Sequence, residues 1–180
     1  VADELPDAFL EALRRRAKAT DPEALVLGEV WEDASNKHSY GHRRRYLLGQ
    51  QLDSVMNYPF REAVLDVLRD ANTARFFERI CAVVENYPPQ VLPLLMNFLS
   101  THDTPRILSV LGGNMPDTKE ARAAFCLTEG EREEAEKKLR LAAFLQFVLP
   151  GIPSVYYGDE IGMEGFEDPF NRRTYPWGRE

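Results

Sequence analysis

Along the chain, stretches with apolar residues at helical spacing alternate several times with short continuous apolar runs. The apolar side chains Phe9, Leu13 and Ala17 share one face of a predicted helix. The polar residues 20–22 end that helix, and the continuous run Ala24–Leu27 then predicts a short buried strand. A helix followed by a strand is therefore the first repeat of the pattern.

The same alternation continues to the carboxyl end. The pattern predicts further helices at Phe60–Leu68, Thr73–Val84 and Glu131–Leu149, and strands at Leu52–Met56, Leu94–Leu99 and Ile152–Tyr157. The polar loop at 32–45 is interpreted as a solvated face, and we find neither a hairpin signal nor a repeat of fixed period. Strands that alternate with helices are typical of parallel strands joined by crossover helices. We predict one α/β domain across residues 1–180.

Composition and charge limit the kinds of partner that this protein can bind. The 180 residues are 44% hydrophobic, which is ordinary for a globular chain that can bury a core. The net charge of −7 would repel phosphates, so we expect neither a nucleic acid nor a membrane as partner. Cys81 and Cys126 show no metal-binding or redox spacing, and we predict that both are small buried apolar residues.

The first residues resemble the interior of a longer sequence. Val1 is not a methionine, no signal segment follows it, and no apolar run is long enough to span a bilayer. Residues 1–2 resemble the end of a strand, and residues 3–6 resemble the start of a helix. We therefore expect a fragment of a longer protein, with a cytoplasmic location.

A His-Asp pair directly after the apolar run Leu94–Leu99 invites two interpretations. Asp103 could cap a helix that Pro105 opens, with His102 packed beside it. Alternatively, the pair faces a functional site. A charge at the end of a buried strand costs free energy unless it faces such a site.

Other strand ends favour the second interpretation. Glu29 follows Ala24–Leu27, and the polar cluster at 158–160 follows the last predicted strand. Acids at the carboxyl ends of parallel strands meet on one rim, and two carboxyl groups there suit glycosidic cleavage, since one must be protonated and the other ionised. Trp31 either packs in the core or offers a ring face to a sugar, and His102 could donate to a sugar hydroxyl.

Four blocks carry a family resemblance. The sequences "GEVW", "MNYPF", "FLSTHDTPRIL" and "PGIPSVYYGDEIGMEG...DPFNRRTYPW" are similar to those of the α-amylase family of glycoside hydrolases. They most resemble its neopullulanase, cyclomaltodextrinase and maltogenic amylase branch. The blocks appear in family order and extend over the whole chain.

The resemblance implies a role for each matching position. Glu29 would be the general acid/base, and Asp103 would stabilise the transition state and hold sugar hydroxyls, with His102 beside it. Trp31 would line the acceptor side. Asp168 and Arg172 of "DPFNR" would together hold glucose units further from the cleavage point.

The same resemblance implies what the chain lacks. The family's nucleophile is an aspartate that would lie immediately before Val1, so Asp3 is not assigned to that role. Glu4 matches a position near the acceptor sugar. The fold implied is the carboxyl-terminal half of a (β/α)8 barrel, with strands five to eight. A calcium site in the other half is left open.

The function implied is that of a fragment of a retaining α-glucan hydrolase. It would cleave α-1,4 bonds, and α-1,6 bonds as a second class, in maltooligosaccharides, cyclodextrins or pullulan, without an organic cofactor or a metal held by these residues. A non-catalytic relative, or a sister oligo-1,6-glucosidase or transglycosylase, is the alternative. The expected partners are the oligosaccharide and either a second copy of the chain or the missing half-barrel, and the isolated chain is expected to be inactive.

Overall fold

The structure is a computed structural model that describes residues 1–178. Its helices are α1 (Asp7–Thr20), α2 (Tyr58–Leu68), α3 (Thr73–Asn86), α4 (Ile107–Gly112), α5 (Lys119–Ala123) and α6 (Glu129–Val148). Its strands are β1 (Leu27–Gly28), β2 (His38–Ser39), β3 (His42–Arg43), β4 (Ser54–Val55), β5 (Met96–Phe98) and β6 (Ile152–Ser154). The four predicted helices are confirmed within a turn at each end. Helix α5 was not predicted, and α4 begins two residues after Pro105, where a helix was one of two interpretations.

The chain divides into two compact units. The first comprises Val1–Ala63, Thr73–Asn97 and Pro150–Ile152, and the second comprises Val64–Asn72, Phe98–Leu149 and the residues from Pro153 onward. The prediction of one domain stays a prediction.

Parallel pairing in the first unit confirms the predicted strand direction. Strands β1 and β4 are parallel, with Leu27 opposite Ser54, and Met56 forms a parallel bridge with Met96. The backbone N–H of Ile152 donates to the carbonyl of Leu95 at 2.7 Å. The paired segments are shorter than the apolar runs that predicted them.

The first strand is buried on one face only. Val26 and Gly28 are buried, whereas the side chains of Leu25 and Leu27 are exposed. The predicted buried strand is therefore covered on one face in this chain, since a continuous apolar run does not show how many of its two faces are covered.

A hairpin that the sequence did not predict follows in the 32–45 loop. Strands β2 and β3 are antiparallel, and Tyr40 and Gly41 between them both have positive φ angles, of 52° and 79°. Two such residues form the turn that suits a two-residue hairpin. The expectation of no hairpin was wrong because Tyr-Gly occupies a turn that is usually signalled by Asn-Gly.

The same loop is less solvated than predicted. Arg44 is buried and donates to the carbonyl oxygens of Asp3 and Leu5, and it forms an ion pair with Asp7 at 3.2 Å. One cation of the charge run therefore ties the hairpin to the amino-terminal segment.

The core of the first unit combines side chains from helices and strands with side chains from the segments between them. Its buried apolar residues include Leu10, Val30, Tyr46, Val55, Tyr87 and Leu95. Helix α2 begins after Asn57, whose Oδ1 accepts the N–H of Phe60 at 3.1 Å and so caps the helix. Asn57 also donates to Asn97 at 2.8 Å.

In the second unit, α4 packs against α6. Helix α6 starts with a capping box formed by Thr128 and Glu131. At the start of α4, the N–H of Ile107 donates to Ser100 Oγ at 2.8 Å. Asp103 makes no cap there, because the α4 N-cap is Arg106. The capping interpretation of Asp103 was therefore wrong.

Both cysteines are exposed, contrary to the prediction. In α3 the buried side chain is Val83, and Cys81 lies about 200° away around the helix. Cys126 precedes the buried Leu127 in the segment between α5 and α6. An apolar neighbourhood in sequence did not indicate which helical face is covered.

Candidate active site

Glu29 lies directly after β1, where the first parallel strand ends. Its Oε1 accepts hydrogen bonds from Trp31 Nε1 at 3.0 Å and from the hydroxyl of Tyr58 at 3.3 Å. The carboxyl group is about one quarter exposed. Glu29 is thus an accessible acid with one oxygen engaged by two donors.

An aromatic pair stands beside this acid. The rings of Trp31 and Tyr58 are stacked, with centroids 5.3 Å apart and planes 15° from parallel. Tyr58 is buried, whereas Trp31 is about half exposed. The pair borders a cavity of about 340 Å³ that Glu62 and Arg79 also line. Trp31 is therefore not a core residue: one face of its ring stacks on Tyr58, and about half of the residue is exposed beside Glu29.

The amino-terminal acids of the first unit are tied to the hairpin segment. Glu4 accepts a hydrogen bond from the hydroxyl of Tyr40 at 2.7 Å, and this bond raises the pKa of Tyr40. Asp3 accepts from the hydroxyl of Tyr46 at 2.5 Å and lies 3.5 Å from Lys37 Nζ. Burial, and then the bond to Asp3, raises the pKa of Tyr46. Asp3 thus links the amino-terminal segment to Tyr46 and Lys37.

In the second unit, Asp103 is held from two sides. Its Oδ2 lies 3.2 Å from His102 Nε2, and its Oδ1 accepts from Arg172 Nη2 at 3.1 Å. About a third of the Asp103 side chain remains exposed. The carboxylate is therefore oriented by a cation and an imidazole, and it remains accessible to a ligand.

Arg172 joins three of the predicted site residues. Besides Asp103, its Nε group lies 2.9 Å from the carbonyl oxygen of His102 and 3.1 Å from Asp168 Oδ1. Asp168 is more than half exposed. The predicted pair of Asp168 and Arg172 is therefore an ion pair, and it lies against the His102–Asp103 loop.

Asn171 holds the same loop, and the sequence interpretation missed it. Its fully buried Nδ2 lies 3.2, 2.8 and 2.9 Å from the carbonyl oxygens of Thr101, His102 and Thr104. The backbone carbonyl oxygen of Asn171 accepts a hydrogen bond from Arg106 Nε at 2.9 Å. The block "DPFNR" that suggested Asp168 and Arg172 contained this residue too, but its role depends on contacts with backbone groups some 70 positions earlier.

The polar cluster at 158–160 is structural at its centre. Asp159 is buried and forms an ion pair with the fully buried Arg106 at 3.1 Å. The Arg106 guanidinium also lies over the rings of Tyr156 and Tyr157, at 4.3 and 4.6 Å. Burial raises the pKa of Asp159, although hydrogen bonds from Ser100 and Arg106 oppose this shift. Asp159 therefore supports the 156–159 turn and is not open to a substrate.

Each unit thus brings together part of the predicted set. Glu29 and Trp31 meet in the first unit, where Glu4 is hydrogen-bonded to Tyr40. His102, Asp103, Asp168 and Arg172 form one connected group in the second unit. Within residues 1–178, no helix combines the length and the apolar character needed to cross a bilayer.

Comparison with known proteins gives a consistent result. Residues 5–176 match the family described as "Alpha amylase, catalytic domain". The chain is 39% identical to an amylopullulanase from Thermoanaerobacter thermohydrosulfuricus, over all of its own length and 12% of that protein. It is 38% identical to neopullulanase 2 from Thermoactinomyces vulgaris, over 98% of its own length and 26% of that protein.

A solved structure agrees with these relatives. A cyclomaltodextrinase superposes on the chain with a TM-score of 0.75 at 32% identity, over 98% of this chain and 26% of that one. The chain therefore spans between about a tenth and a quarter of the length of these proteins. Its α/β fold with parallel strands resembles that of α-amylase family TIM-barrel proteins, and it belongs to the α-amylase catalytic-domain family of glycoside hydrolases.

Proposed function

We propose that this chain supplies the general acid/base and a stabilising carboxylate to a retaining α-glucan hydrolase. The observation that carries the proposal is the strand-end carboxyl group of Glu29. Two donors engage one of its oxygens, and the half-exposed ring of Trp31 lies beside it. A glycosidic bond needs a proton donor at the leaving oxygen, and the apolar face of a sugar ring needs a surface to stack on.

The roles follow the retaining mechanism. Glu29 protonates the leaving oxygen and later takes a proton from the attacking water. Asp103, oriented by His102 and Arg172, stabilises the positive charge that develops on the sugar. The mechanism also requires a carboxylate nucleophile, and its position before Val1 stays a prediction from the family resemblance.

The remaining assignments concern binding. Asp168 and Arg172 would hold glucose units further along the substrate, Trp31 and Glu4 would contact the acceptor side, and no organic cofactor is required. Strands β1, β4, β5 and β6 would be strands five to eight of a (β/α)8 barrel. The names of the relatives support α-1,4-linked glucans as substrates, with α-1,6 bonds as a second class.

The test uses the full gene product that contains this chain, incubated with maltohexaose, a cyclodextrin and pullulan. Proton NMR of the first products should show new reducing ends in the α configuration, because two successive displacements retain the anomeric configuration. Products that first appear in the β configuration, or no cleavage of any of the three glucans, would refute the proposal.

A further inference from the structure

Two hydrogen-bond donors converge on a single oxygen of Glu29. Trp31 Nε1 lies 3.0 Å and the Tyr58 hydroxyl 3.3 Å from Oε1. An indole N–H can only donate, so Oε1 must act as an acceptor toward it. With two donors directed at one oxygen, little room remains there for a hydrogen of its own.

Tyr58 is well placed to hold this arrangement. Its side chain is buried, and its ring stacks on that of Trp31. It is the first residue of α2, directly after Asn57, which caps the helix through the N–H of Phe60. The position of the hydroxyl is therefore fixed by the helix start and by the stacked ring.

We propose that Tyr58 is a positioning residue for Glu29: its hydroxyl, together with Trp31 Nε1, occupies Oε1, so that the acidic proton resides on Oε2 and is delivered from there. This inference rests on the proposed role of Glu29 as general acid/base. Neither Tyr58 nor the choice between the two carboxyl oxygens was part of the sequence prediction.

The proton balance is simple. In the first step, the proton leaves Oε2 for the glycosidic oxygen as the bond between that oxygen and the anomeric carbon breaks, and Glu29 becomes a carboxylate. In the second step, water attacks the anomeric carbon, and one of its protons moves to Oε2. The two bonds to Oε1 persist through both steps, so the carboxyl group need not reorient.

The test compares two substrates in the full gene product that contains this chain. One is maltohexaose, whose leaving sugar needs a proton, and the other is a dinitrophenyl α-maltoside, whose leaving group departs without one. Tyr58→Phe removes the hydroxyl and keeps the stacked ring. It should lower kcat/KM for maltohexaose about 10-fold to 100-fold, the value of one hydrogen bond to a charged group, and change the dinitrophenyl reaction less than about twofold.

Tyr87→Phe is the matched control, because it removes another buried hydroxyl of the same unit, which accepts the N–H of Ala34 at 2.9 Å. Any effect of that variant should be equal on both substrates. Equal losses on both substrates in Tyr58→Phe, or wild-type rates on both, would overturn the inference.

Glu29→Gln separates this inference from the proposed function. If Glu29→Gln cleaves maltohexaose at the wild-type rate, the role of Glu29 is wrong and the proposed function fails. If Glu29→Gln is slow only on maltohexaose while Tyr58→Phe shows no selectivity, only the role of Tyr58 is wrong.

Discussion

The side-chain amide of Asn171 donates to the backbone carbonyl oxygen of His102 at 2.8 Å. The same nitrogen lies 2.9 Å from the carbonyl oxygen of Thr104, so one fully buried side chain holds the backbone on both sides of Asp103. The position of a candidate catalytic carboxylate therefore depends on a residue 69 positions after His102.

Asn171→Ala should weaken both the fold and the activity. The change removes the Asn171 donor from the carbonyl oxygens of Thr101, His102 and Thr104, at a cost of about 1–3 kcal/mol in the free energy of unfolding. The loop carrying Asp103 then loses its fixed position, so kcat should fall more than about tenfold. Urea unfolding and kinetics on maltohexaose measure the two effects. Asn114→Ala, at an exposed position of the same unit, should change neither. Wild-type kcat in Asn171→Ala would contradict this account of the loop.

The contacts of Arg172 predict that replacing it affects the kinetics differently from replacing Asp168. Asp168 is exposed and contacts Arg172, whereas Arg172 also donates to Asp103. Asp168→Asn should therefore raise KM by less than about tenfold with little change in kcat, and Arg172→Gln should lower kcat as well, by about 10-fold to 100-fold. Kinetics on maltooligosaccharides separate the two constants. An equal fall of kcat in both variants would show that the contact with Asp103 is unimportant.

The contacts of Asp53 predict that its contribution to the stability of the fold depends on pH. Burial opposes its ionisation, but hydrogen bonds from the N–H of Val26 and from Arg14 and Lys18 outweigh burial and lower its pKa. Because the folded-state pKa lies below the unfolded value of about 3.9, the stabilisation is present above that pH and is lost as the pH falls through the folded-state pKa.

Asp53→Asn should accordingly cost about 1–3 kcal/mol of unfolding free energy at neutral pH. The difference from the wild type should shrink below a pH of about 4. Urea unfolding at several pH values measures it, with the exposed Glu23→Gln as control. A difference that stays constant down to acid pH would show that the charge of Asp53 does not stabilise the fold.

Gly165 supports the turn that carries Asn171. Its φ angle is +156°, and a Cβ atom there would lie 2.1 Å from the carbonyl oxygen of Phe170. Gly165→Ala should therefore cost about 2 kcal/mol or more and displace that turn. Gly130→Ala in α6, where the added Cβ meets nothing within 4 Å, should instead stabilise the protein by about 0.4–1 kcal/mol. Thermal unfolding distinguishes the two, and equal melting temperatures would contradict the prediction.

Much of the fold could be predicted because apolar periodicity is a local property. Helices α1, α2, α3 and α6 each show it within their own residues. The β2–β3 hairpin and the exposure of Leu25 depend on a turn conformation and on neighbouring segments that one sequence window does not contain. These features therefore could not be predicted from the sequence.

The candidate site likewise contains residues that the sequence indicated and residues that it did not. Glu29 and Asp103 could be found because each follows an apolar run. Tyr58 and Asn171 stand inside blocks that were recognised, but their importance lies in hydrogen bonds to Oε1 of Glu29 and to the carbonyl oxygens around Asp103. Such contacts join segments that are distant in sequence, so spacing alone does not reveal them.

The most direct test of the central claim is the rate of maltohexaose cleavage by Glu29→Gln in the full gene product that contains this chain. The amide keeps the shape of the carboxyl group but cannot deliver a proton, so kcat should fall by about 10²-fold to 10⁴-fold or more. Calorimetry should show that maltohexaose still binds, and Glu78→Gln, an exposed carboxyl group on α3, should retain the wild-type rate. A wild-type kcat in Glu29→Gln would contradict the assignment of Glu29 as the general acid/base.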